Sequence, residues 1–170
     1  FVESANPDSM YSHLYHQLEP KCIKVLGHED KRYLKNAISS GNIYGLTYAL
    51  VAYFMATAIR RIQVREERDN DYKTSAIIHV EIDKKNHDWQ KRLVERLIVS
   101  IKSAIVDEEQ SDLRVWVAIE KNYQDFIQSN QKGRDEGLIK VEVPSKEAVL
   151  EEIRDIFSSR CRNYHVQMVN

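Results

Sequence analysis

Five glycines and three prolines in 170 residues leave too few chain breakers for the closely spaced turns of a multi-stranded β fold, so helices are expected to dominate. No glycine-rich loop followed by Lys and Ser or Thr occurs, and no dinucleotide-binding glycine fingerprint. A Gly-x-Ser-x-Gly elbow, a His-Glu-x-x-His helix and a Cys-x-x-Cys pair are equally absent. The sequence therefore offers no self-contained enzyme of those classes. Its two cysteines, Cys22 and Cys161, lie far apart and without metal-ligand spacing, which suits a reducing, cytoplasmic setting better than a disulfide scaffold. Neither sign of charge prevails. With 25 basic and 26 acidic residues the net charge is -1, so no global field draws the surface onto nucleic acid or an anionic membrane, and any such contact must be local.

What remains is an ordinary globular balance, 42% hydrophobic and 30% charged, in a chain long enough to bury a substantial core. One domain over 1–170 is expected, with 1–41 as a helical N-terminal extension and 42–170 as an α/β core. The longest apolar stretch, 43–62, carries Thr47, Thr57 and three tyrosines and is closed by Arg60 and Arg61. It reads as a central core helix, and no membrane partner is expected.

Along the chain, Met10, Leu14 and Leu18 recur every fourth position and predict a short helix over 8–18, stopped by Pro20. A second helix is expected over 29–40, ending at Gly41. In 43–65 the apolar residues lie on nearly every face, which predicts a helix buried on several sides. Ser75-Ala76-Ile77-Ile78-His79-Val80 is a continuous apolar run of strand length and is expected to be a buried strand. Trp89, Leu93, Leu97, Ile101 and Ile105 form an unbroken i, i+4 stripe and predict a helix. Leu113, Trp116, Ile119, Tyr123 and Phe126 step by three or four and favour a helix over 112–129, followed by a charged hinge over 131–137. Residues 138–143 alternate apolar and charged, as an edge strand or an extended connection would. Ser145 is placed to cap a helix with Val149, Leu150, Ile153 and Phe157 on its core side. A last strand over 164–169 completes the expectation. The fold class implied is α/β, a helix-rich arrangement of two or three layers around a small, mainly parallel sheet with a right-handed crossover.

Three groups of residues could carry chemistry. His13, His16, Cys22 and His28 have zinc-ligand side chains, but only His13 and His16 share a helical turn, and packing or surface roles suit the set better, so no metal site is assigned. Magnesium-dependent phosphodiester cleavage needs clustered carboxylates for the ion and a lysine near the water. Pro7-Asp8 with Glu19-Pro20-Lys21 has the letters of such a signature, yet Pro20 stands where a strand would have to run. Asp71, Glu81, Asp83 and Lys85, around the exit of the 75–80 strand, form the better version, and its plain alternative is a solvated loop. Arg60, Arg61 and Arg65, with Lys84 and Lys85 beyond the next strand, could contact phosphates. Glu66, Glu67 and Asp69 interrupt the basic cluster around Arg68, so a salt-bridged surface is the competing reading. His79 within the apolar run, and the aromatic stripe Trp116, Tyr123 and Phe126, read first as core.

Ala58-Ile59-Arg60-Arg61 leading into Ser75-Ala76-Ile77-Ile78-His79-Val80, then a long helix, the 123–126 region with Asp125 and a late segment 166–170 ending in Asn, give a recognisable order. Over about 46–170 the chain resembles the Z1 domain, found in helicase-like proteins of DNA restriction and repair and linked there with endonuclease activity. Glu81, Ile82 and Asp83 stand where the family has Ser, Arg and an aromatic, so that arginine has no counterpart here. The resemblance implies a lobe like the second RecA-like domain of a helicase, with the ATP loop on another part of a larger protein. It implies DNA as a partner, together with remaining domains or another subunit, and no cofactor held by this chain. Three functions stay open: a DNA-processing accessory lobe without ATP hydrolysis of its own, a nuclease using Asp71, Glu81, Asp83, Lys85 and magnesium, and a non-enzymatic interaction module.

Overall fold

The computed structural model describes residues 44–67, 74–78, 87–107 and 112–158. Helix α1 (Tyr44–Glu67) contains no proline, and Gly45 is its only glycine. Its apolar residues run round the axis, which lets it bury more than one side. It packs against all three other helices, most extensively against α3 (Leu113–Asp135) and α4 (Lys146–Phe157). In α2 (His87–Val106) the stripe members Leu93, Leu97, Ile101 and Ile105 are all buried, with Val94 and Ile98 widening the apolar face. Arg92, Glu95 and Arg96 occupy its exposed side. Every helix supplies residues with less than 2% exposure: Val51 and Met55 from α1, Ile101 and Ile105 from α2, Val115 and Ile119 from α3, Val149 and Ile153 from α4. Phe54 and Phe157 bring α1 and α4 together with ring centroids 4.7 Å apart.

Capping chemistry sets two of the boundaries. The Asp112 side chain accepts the backbone N–H of Arg114 at the start of α3, and the Ser145 hydroxyl accepts that of Ala148 at the start of α4. The hinge expected over 131–137 is instead mostly helix, since α3 continues to Asp135. Its charged residues are good helix formers, and Gln131 with Asp135 and Lys132 with Glu136 pair at i, i+4. The helix stops at Gly137, whose φ of 72° lies in the left-handed region, with Leu138 N–H returning to the Gly133 carbonyl at 2.8 Å. The chain then folds back along α3. A Cβ on Gly133 would come within 2.5 Å of the Ile139 Cδ1, so glycine allows this close return.

Residues 138–143 form the extended connection, not an edge strand. Their carbonyls are met by helix side chains: Asn130 donates to Val141 O at 2.9 Å and Gln63 to Glu142 O at 3.0 Å. Tyr123 OH likewise donates to Pro144 O at 3.0 Å.

The α/β expectation is overturned. Among the described residues there is no strand, and the architecture is an all-helical arrangement of four helices, so the small parallel sheet and the likeness to a RecA-like lobe both fall. Residues 75–78, the described part of the presumed buried strand, form no strand and are exposed, with Ile77 at 95% and Ile78 at 36%. An apolar run of strand length shows that a segment could be buried without showing that a neighbour exists to bury it. Here α2, α3 and α4 already close the core around α1. The helices expected over 8–18 and 29–40, the end of the 75–80 run with His79, and the strand over 164–169 lie outside the described residues. No helix among the described residues is long and apolar enough to cross a membrane.

Candidate functional site

The basic end of α1 is built on i, i+4 spacing. Tyr53, Thr57, Arg61 and Arg65 follow one another at four-residue steps and so form a slowly winding stripe. The upper half of the stripe anchors Thr74, the first residue of the 74–78 segment. Tyr53 OH donates to the Thr74 carbonyl at 3.0 Å, and the Thr57 and Thr74 hydroxyls are 2.7 Å apart. Thr57 Oγ1 also lies 2.8 Å from the Tyr53 carbonyl.

The lower half meets a buried carboxylate. In α4 the core face is Val149, Ile153 and Ile156, and Glu152 lies on that face, only 3% exposed. Arg61 Nε is 2.6 Å from Glu152 Oε1. Arg65 spans the carboxylate with NH1 at 3.0 Å from Oε2 and NH2 at 3.1 Å from Oε1. The two arginines differ sharply in access: the Arg61 side chain is 11% exposed and that of Arg65 is 58%. Arg61 is thus committed to neutralising Glu152 inside the fold, whereas Arg65 presents its outer edge to solvent. Arg60, which precedes Arg61 in α1, is half-buried. The triad carries one negative and two positive charges, so it remains net positive after its internal pairing.

Glu152 was not among the candidate residues, although a signal for it exists. A carboxylate on the apolar face of an amphipathic helix must be paired when that face is buried, and this implies a cation on the facing helix. Asn122 is a parallel case, buried on the apolar face of α3, where its amide donates to Tyr48 O at 3.1 Å and Ala118 O at 2.8 Å. Asp125, one turn further along α3, accepts the Tyr48 hydroxyl. Both contacts tie α1 to α3.

The aromatic stripe of α3 serves packing. Trp116, Tyr123 and Phe126 are partly buried against the core. Asp112 has a double role, because beyond capping α3 it accepts Ser100 Oγ at 2.7 Å and Arg114 Nε at 3.0 Å. Burial pushes its carboxyl pKa upward, but the hydrogen bonds from Arg114 and Ser100 and the Arg114 charge outweigh this and hold it below 3.8. Arg154 Nε reaches from α4 to the Ile105 carbonyl at 3.0 Å and satisfies an acceptor in the last turn of α2.

Of the sequence candidates, the fold brings Arg61 and Arg65 together on Glu152, and Arg60 is their half-buried neighbour in sequence on α1. Asp71, Glu81, Asp83, Lys84 and Lys85, like His13, His16, Cys22 and His28, lie outside the described residues. Among the described residues no three His, Cys, Asp or Glu side chains gather in a way that could hold a metal ion.

A family model described as the Z1 domain matches residues 45–170, about three quarters of the chain, and takes in all four helices. No curated protein and no solved structure matches the chain.

Proposed function

Because the chain belongs to the Z1 domain family, we propose that it is a DNA-contacting accessory lobe of a larger assembly, supplying structure and phosphate contacts without hydrolysing ATP itself. The observation that carries this reading is the basic end of α1, where an arginine more than half exposed is held in place by a buried carboxylate. Guanidinium groups bind phosphate through paired N–H donors, and such contacts give affinity without reading sequence. The sequence has no phosphate-binding glycine loop, which supports a reading in which this lobe does not hydrolyse nucleotide itself.

The test is fluorescence anisotropy of a short labelled duplex titrated with the full chain across a salt series. Binding should weaken steeply with salt, and replacing Arg60 and Arg65 by Ala should lower affinity and reduce the slope of log K against log salt by about 1 to 2. Absence of binding by the wild-type chain at low salt rejects the reading. Arg61→Ala is unsuited to this test, since it leaves Glu152 short of its buried partner.

A further inference from the structure

The Arg61, Glu152 and Arg65 arrangement is lopsided in a way that a purely structural ion pair does not need. One buried carboxylate is satisfied by one cation, and Arg61 already sits 2.6 Å from Oε1 in a nearly closed position. Arg65 adds a second, bidentate pairing from the solvent side, with its side chain 58% exposed. A guanidinium has five N–H donors. Two of those on Arg65 face Glu152, and the rest remain on its other edges.

We infer that Glu152 is an internal competitor that sets the affinity of Arg65 for a nucleic-acid phosphate: Arg65 exchanges between the buried carboxylate and the phosphate, while Arg61 stays on Glu152 throughout. This rests on the proposed DNA contact and adds to it the residue that tunes it. The exchange is feasible because Glu152 never loses its last partner. Leaving a buried charge alone is what makes the breaking of such pairs costly, and Arg61 removes that cost. Arg65 swings on a long flexible stem from the last turn of α1, so the exchange needs no helix movement. The competition is electrostatic. A carboxylate in contact with the same guanidinium opposes an approaching phosphate, and neutralising it raises the local charge of the triad from +1 to +2.

The experiment uses the full chain and the same labelled duplex. Glu152→Gln keeps the shape and one acceptor oxygen for Arg61 and removes the charge, so it should tighten binding by about three- to tenfold. In an Arg65→Gln background the same change should give no gain, which is the signature of coupling between the two side chains. Glu151→Gln supplies the control for net charge alone. Glu151 is the adjacent residue of α4, with its side chain 78% exposed. An equal gain from Glu151→Gln, or a gain from Glu152→Gln that persists without Arg65, overturns the inference while leaving the DNA-contact reading intact. If Glu152→Gln melts the fold, as circular dichroism would reveal, Arg65→Gln alone still decides whether Arg65 is a contact. The salt slope must then fall by about 1, and an unchanged slope refutes the exchange. Failure of the wild-type chain to bind at low salt would instead reject the underlying reading.

Discussion

Replacing Arg61 by Ala should cost far more stability than replacing Arg65, although both touch the same carboxylate. Arg61 is 11% exposed and Glu152 4% at the side chain, so their contact is shielded from water and salt. Removing one partner of a buried pair typically costs roughly 3 to 5 kcal/mol. Glu152 would retain Arg65, which places Arg61→Ala at the lower end, about 3 kcal/mol. Arg65 lies mostly in solvent and loses side-chain freedom to make its contact, so Arg65→Ala should cost at most about 1 kcal/mol. Urea unfolding followed by circular dichroism reads both values. With a slope of about 2 kcal/mol per molar, the midpoint should fall by about 1.5 M for Arg61→Ala and by at most about 0.5 M for Arg65→Ala. The double replacement Arg61→Met with Glu152→Leu, which removes the charges together and refills the space, should recover much of the loss. Equal shifts for the two alanine variants would refute the assignment of Arg61 as the buried partner.

Three further outcomes test other parts of the fold. Asp112 has a folded-state pKa below its ordinary 3.8, so its contribution is complete above that value and is lost as pH falls through the lower folded value. Acid unfolding below about pH 4 should therefore be flatter for Asp112→Asn than for wild type, and parallel profiles would refute the pairing with Arg114 and Ser100. Ile153→Ala, at a position with no exposure, should destabilise by about 2 to 5 kcal/mol, and a loss below about 1 kcal/mol in thermal unfolding would mean that α4 is not docked as described. Gly137→Ala meets no atom within 4 Å, so its cost should be backbone strain alone, about 1 kcal/mol, with a neutral result refuting the left-handed stop of α3.

Much of the helical framework was legible because periodicity reports a face directly. The stripe through Leu93, Leu97, Ile101 and Ile105 gave α2, and Ser145 followed by Val149 and Ile153 gave α4 with its cap. The end of α3 was misplaced because Lys132, Arg134 and Asp135 look like a solvated loop, whereas charged residues with i, i+4 partners extend a helix readily. The basic cluster was visible as Arg60, Arg61 and Arg65, but its division into a buried and an exposed arginine was not. That division depends on Glu152, 91 residues from Arg61 along the chain and adjacent to it only once α4 is docked on α1.

The sequence by itself determined α1, α2, α4 and the body of α3 and the faces they bury, because spacing and capping act over a few residues. It determined the absence of a phosphate-binding glycine loop in the same local way. Tertiary structure alone decided that the Ile77-Ile78 segment is exposed, since strand pairing depends on a neighbour that local sequence cannot supply. It also decided which cation neutralises Glu152, because the strength of an ion pair is set by burial and distance, and both come from how the helices meet.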